Sequence, residues 1–144
     1  MTVLVDTTIW SLALRRRPGD LSAVERRLVS AWKSLVRANE AALVGPVRQE
    51  VLSGVREESQ FRGLQERLAA FPYVEIAPGD YDRAASFFNA CRANGIVGTP
   101  IDLLLCAVAS RLGMPVLTTD QDFLSYSKHV PVRLHLRTLL EREP

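Results

Sequence analysis

Thr2-Val3-Leu4-Val5-Asp6-Thr7-Thr8 joins a short apolar, β-branched run to a carboxylate and two hydroxyls. The run reads as a buried strand. A short helix carrying Ile9, Trp10, Leu12 and Ala13 follows it. The same alternation continues downstream. Leu21 to Arg37 has its apolar residues at helical spacing, with Asp20 or a Ser22/Glu25 capping box at its start. Ala41 to Val44 is a second strand, and Gly45-Pro46 opens a helix that stops at Gly54. A helix over 57–71, a strand over 73–76 and a helix capped by Asp80 and ended at Gly95 come next. Thr99-Pro100 starts a helix to Leu112 that is apolar on nearly every face, hence buried. Pro115 to Thr118 is a fourth strand, followed by a turn at Asp120-Gln121-Asp122-Phe123, a last short strand over 132–134 and a closing helix over 136–142.

Strands separated by helices need crossover connections, which produce a mostly parallel sheet covered on both faces. The expected architecture is therefore three-layer α/β/α around four or five strands. Such sheets bind ligands beyond the carboxyl ends of their strands, at the point where strand order reverses.

With 144 residues, 47% of them hydrophobic and 24% charged, the chain is expected to form one globular domain over residues 1–144. No apolar stretch approaches the ~20 residues that cross a bilayer. Arg15, Arg16 and Arg17 follow the first apolar stretch rather than precede it, which is the wrong order for a secretory signal. Cys91 and Cys106 read as buried thiols in a reducing cytoplasm. Of 18 basic residues only Lys33 and Lys128 are lysine. Arginine suits a nucleic-acid partner, because its planar fork binds phosphate through two bonds, but it also serves plain solubility.

Four carboxylates stand out. Asp6 follows the first strand, Asp120 lies just past the fourth, Glu50 is about one turn into the helix after the second, and Asp102 is in the first turn of the buried helix. Each has a local reading. Asp6 can cap the next helix, Asp102 can close a capping box with Thr99, Glu50 can pair with Arg48 or Arg56, and Asp120 can initiate a turn. Their common position at one end of the sheet favours convergence. Converging carboxylates repel and raise one another's pKa unless cations or protons intervene. An all-oxygen site points to Mg²⁺ or Mn²⁺ rather than zinc, and His129 and His135 lack ligand spacing. Such a site binds phosphate and activates water, which is phosphoester hydrolysis. No P-loop, dinucleotide fingerprint or serine-hydrolase elbow competes.

Leu4-Val5-Asp6-Thr7-Thr8, Glu50-Val51-Leu52-Ser53-Gly54, Asp102 and Leu117-Thr118-Thr119-Asp120-Gln121-Asp122-Phe123 together resemble the four acidic motifs of PIN-domain ribonucleases, in the order and length of VapC toxins. The resemblance spans nearly the whole chain. It implies a PIN-like fold and a site of Asp6, Glu50, Asp102 and Asp120, with Asp6, Asp102 and Asp120 holding Mg²⁺ or Mn²⁺ directly and Glu50 either binding through water or positioning the nucleophile. It implies support from the Thr8 and Thr118 hydroxyls. Asp122 is either a further acid or a local cap, and Phe123 is core. Leu103-Leu104-Leu105-Cys106 is bulkier than the family pattern, and Cys106 reads as packing. The implied activity is hydrolysis of single-stranded or loop RNA, leaving 5′-phosphate and 3′-hydroxyl ends. The implied partners are a VapB-type antitoxin over the cleft and a homodimer or toxin–antitoxin hetero-oligomer, without a membrane. Trp10 and Trp32 fit either a dimer contact or the core. A non-catalytic nucleic-acid-binding module and a DNA nuclease are the alternatives.

Overall fold

The computed structural model describes residues 1–141, so Arg142, the last residue of the expected closing helix, lies outside the described residues. Four short strands, β1 (Val3–Val5), β2 (Ala41–Val44), β3 (Tyr73–Val74) and β4 (Val116–Leu117), form one sheet in the order β3-β2-β1-β4. All three pairings are parallel, with Leu4 opposite Ala42 on one side and Val116 on the other. Strand order reverses between β1 and β4, so the carboxyl ends of those two strands flank the crevice.

Eight helices are described: α1 (Thr7–Arg15), α2 (Ala23–Arg37), α3 (Gly45–Leu52), α4 (Glu58–Leu68), α5 (Pro78–Ala93), α6 (Pro100–Leu112), α7 (Asp122–Tyr126) and α8 (Arg137–Glu141). They cover both faces of the sheet, giving the three-layer α/β/α arrangement. The Ser22/Glu25 capping box closes at α2. Asp20 instead ends a short 3-10 turn. Leu103 to Ala109 of α6 are all buried, as an all-round apolar helix requires. Gly113 terminates α6 at φ +66°, a left-handed conformation that only glycine adopts without strain.

Several boundaries differ from the sequence expectation. α5 begins at Pro78, and Asp80 is its third residue rather than its cap. The Asp80 carboxylate reaches back to the Ala77 N–H at 2.8 Å and also takes a two-pronged bond from Arg111 of α6 at 2.8 and 2.9 Å. Residues 132–134 contribute one isolated parallel bridge, Val116 to Leu134, rather than a strand. The turn after Asp120 continues into α7. Trp10 and Trp32 are core. They meet edge-to-face at 5.7 Å, and Phe71 packs on Trp10 at 4.7 Å. Cys91 and Cys106 are buried free thiols. Among the described residues no helix is long and apolar enough to cross a membrane.

Candidate active site

β1 and β4 end side by side, and the chain leaves both at the same edge. Asp6, Glu50, Asp102 and Asp120 line one open cavity there of about 790 Å³, together with Thr7 and Thr8. Four segments far apart in the chain thus deliver one carboxylate each to a common space. Among the described residues no lysine or arginine forms an ion pair with any of the four.

Asp6 is 5% exposed and held on both oxygens. Its Oδ1 accepts the Thr7 N–H at 2.8 Å, which is the helix cap that local reasoning anticipates. Its Oδ2 accepts the Thr118 hydroxyl at 2.7 Å and the Thr8 hydroxyl at 3.1 Å. Thr8 Oγ1 also accepts the Thr119 N–H at 3.1 Å, and Thr118 Oγ1 accepts the Asp120 N–H at 2.9 Å. The two threonines therefore tie β1 to β4 across the crevice. Asp120 Oδ1 accepts the Asp122 N–H at 2.9 Å and so starts α7 while lining the cavity. Local and convergent roles are not alternatives here: Asp6 caps α1, Asp120 holds the turn into α7, and both line the cavity.

At α6 the Thr99 hydroxyl accepts the Asp102 N–H at 3.1 Å. The Asp102 carboxylate turns to Tyr126, whose hydroxyl donates to Oδ2 at 2.9 Å. Gly98 makes room for this contact: a Cβ there would lie 2.3 Å from Leu103 Cδ2 and 3.0 Å from Tyr126 Cε1. Glu50 is exposed and pairs with neither Arg48 nor Arg56 among the described residues. Asp122 is exposed and outside the cavity lining, with its backbone rather than its carboxylate bonded to the site. Phe123 and Cys106 are fully buried.

The titrations follow the crowding. Burial raises the Asp6 carboxyl, against the pull of Thr118, Thr7 and Thr8, and Asp120 raises it further. Burial lifts Asp102 to about 6, with Tyr126 opposing and Asp6 and Asp120 adding to the rise. Glu50 is also raised, by burial and by Asp102. The Thr7 hydroxyl opposes that rise weakly without closing a hydrogen bond; it is buried and unpartnered. Burial likewise raises the Cys106 thiol, and a neutral thiol is a poor ligand for a hard cation.

The donors fit a hard divalent cation. They are oxygens only, none is ion-paired among the described residues, and a spare hydroxyl sits beside them. Among the described residues no three acid, imidazole or thiol groups stand close enough together to hold a metal ion between them. Mg²⁺ does not require three, since it takes one or two carboxylates and keeps its waters.

Sequence reasoning did not single out Tyr126, Thr7, Ser11, Arg16 or Glu25, all of which bond to or line the site. Tyr126 lies one turn after Phe123 in a helix read as a turn. Thr7, Ser11 and Glu25 sit on recognised helices and Arg16 just past the end of α1, and the facing direction of α1 and α2 was the missing information.

The PIN-domain family profile matches residues 3–129. The chain is 31% identical over 124 residues to a VapC ribonuclease of Mycobacterium bovis, covering 84% of this chain and 88% of the relative. Ribonuclease VapC11 of Mycobacterium tuberculosis matches to the same extent. Among solved structures, VapBC2 of Rickettsia felis bound to a promoter DNA fragment superposes with a TM-score of 0.72 at 13% identity, over 94% of this chain and 98% of that one. FitAcB of Neisseria gonorrhoeae superposes at 0.68 with 18% identity, over 92% and 96%. The shared fold, the matched residues and the 31% identity carry one conclusion: the chain belongs to the PIN-domain family, among its VapC-type members.

Proposed function

We propose that this chain is an endoribonuclease toxin that hydrolyses phosphodiester bonds in single-stranded or loop RNA with Mg²⁺ or Mn²⁺. The observation that carries the reading is the gathering of four carboxylates in one cavity, none of them ion-paired among the described residues although Arg16 lines the same space. Asp6, Asp102 and Asp120 would hold the ion. Bound there, a divalent ion supplies phosphate charge neutralisation and lowers the pKa of water.

The chain's own groups do the positioning. Thr118, Thr8 and the Thr7 N–H fix both oxygens of Asp6, so its remaining lone pairs keep one direction. Tyr126 fixes Oδ2 of Asp102 and leaves Oδ1 for the cavity. Glu50, unpaired and with a raised pKa, is suited to accept the proton of an attacking water on its carboxylate. In-line attack then leaves a 3′-hydroxyl and a 5′-phosphate. A VapB-type antitoxin that covers the cleft, with a basic side chain over the acids, would block the activity in the cytoplasm. The fold neighbours VapBC2 and FitAB are each solved bound to a DNA fragment.

A panel of single-stranded RNAs with Mg²⁺, Mn²⁺ or EDTA tests the reading, with DNA of the same sequence as control. Cleavage is expected for RNA with either ion, and Asp6→Asn is expected to lower it by about 10²-fold or more while the fold survives. Cyclic phosphate ends, or full activity in EDTA, would overturn the metal route.

A further inference from the structure

We infer that Arg15, Arg56 and Arg67 form a second, cationic cavity that seats a backbone phosphate of the RNA strand entering the acidic cleft. The inference rests on the ribonuclease reading above and names the part of the site that holds the substrate. The cavity, of about 530 Å³, lies where the end of α1, the α3–α4 connection and α4 meet. Three arginines line it and no acid does.

The charges there are uncompensated. Of 16 arginines, Arg62 pairs with Glu58 on α4 itself, Arg111 with Asp80, and Arg137 with Glu141, so an unpaired arginine is common here and what marks this cavity is three of them lining one space without an acid. Among the described residues, Arg15, Arg56 and Arg67 make no such pair. Arg15 and Arg67 occupy the last turns of α1 and α4, where the helix dipole favours a cation. That accounts for two positive charges but not for Arg56, which lies between helices. Three clustered guanidinium groups repel, and a phosphate that accepts paired N–H bonds relieves the repulsion.

Gly63 supplies an independent observation. It sits in the interior of α4 and lines the cavity. A glycine there costs about 0.5–1 kcal/mol relative to alanine. Yet a Cβ at Gly63 would meet nothing within 4 Å, so packing does not demand glycine. Its bare backbone leaves space for close approach by a ligand.

Position links the two cavities. α1 begins at Thr7 in the acidic cavity and ends at Arg15 in the cationic one, a rise of about 12 Å at ~1.5 Å per residue. α3 carries Glu50 of the first cavity, and the chain reaches Arg56 six residues later. A polyanionic strand lying along α1 would put its reacting phosphate over the acids and a neighbouring phosphate among the arginines. An acidic protein segment could meet the same charges, but it carries no phosphodiester for the acidic cavity to act on.

The test uses Asp6→Asn protein and a short fluorescein-labelled single-stranded RNA, followed by anisotropy over a salt series. Adding Arg15→Ala, Arg56→Ala and Arg67→Ala together is expected to weaken binding about tenfold or more. It should also lower the salt slope by ~0.7 for each phosphate that is no longer neutralised. Gly63→Leu, which keeps every charge but fills the space, is expected to weaken binding as well. Arg62→Ala, already paired on the same helix, is expected to change nothing. With Asp6 restored, the triple variant should lose activity through KM. Unchanged affinity and salt slope in the triple variant would overturn the inference. So would RNA binding that survives while inhibition by the antitoxin is lost, an outcome that would make the cavity a protein-docking site. A parent that binds no RNA overturns it too. A parent that binds RNA beside a wild type that cleaves none would overturn the catalytic reading alone.

Discussion

Asp102 links protonation to both stability and activity. Its carboxyl stands at about 6 in the folded chain, above its ordinary 3.8, because burial and the neighbouring Asp6 and Asp120 outweigh the bond from Tyr126. A folded-state pKa above the unfolded one stabilises the fold at low pH, and that contribution is lost as pH rises from about 4 through 6. Cation-free protein should therefore lose stability across that window. Asp102→Asn should flatten the loss, by on the order of 1–3 kcal/mol given the partial exposure of the group. Urea denaturation in EDTA at several pH values measures it. Tyr126→Phe removes a donor that lowers Asp102, so the acid limb of the cleavage profile should move to higher pH. A pH–rate profile at fixed Mg²⁺ checks the direction. The acids themselves were legible from their places at strand ends, for Asp6 and Asp120, and early in helices, for Glu50 and Asp102. Tyr126 was not, because its role depends on a through-space contact with a residue 24 positions away.

At the scale of elements, α6 is positioned by α5 as much as by the sheet. Asp80 and Arg111 join the two helices, and Arg111 also donates to the Glu75 carbonyl at 3.0 Å. Arg111 holds the Asp80 carboxyl below its ordinary value despite the cost of burial. Asp80 is only 1% exposed, but Arg111 is one-third exposed, so solvent screens the pair in part. Asp80→Ala should destabilise the fold by about 1–3 kcal/mol, less than a fully buried pair would cost. The loss should shrink as acid protonates Asp80 in the wild type. Thermal melts at pH 7 and pH 3 would show both. Helices α2, α3 and α6 were readable from spacing and caps. The ends of β3 and β4 were not, because apolar residues such as Ile76 continue past the last ladder bond, and pairing rather than hydropathy ends a strand.

Over the whole molecule, the acidic crevice is a local liability that a bound cation would relieve. A ligand that binds only the folded state stabilises it by about 2.7 kcal/mol at a concentration 100 times its dissociation constant. Mg²⁺ or Mn²⁺ should therefore raise the melting temperature, and Asp6→Asn should remove most of the rise. Calorimetry with and without EDTA checks this apart from any substrate. The same crevice explains why Asp6 tolerates burial. Three hydrogen bonds and the β1–β4 junction hold a carboxylate that the core would otherwise expel.

Chain order alone is enough to specify alternating strands and helices, the parallel sheet and the four acids at strand ends or in the opening turns of helices. Those features follow from periodicity, caps and crossover geometry, all of which act over a few residues. The tertiary structure decided which carboxylates meet, that Asp122 stays outside, that Tyr126 restrains Asp102, and that three arginines share a cavity beside the acids. Each of these depends on the angle at which one helix crosses another, and that angle is set by packing across the entire core.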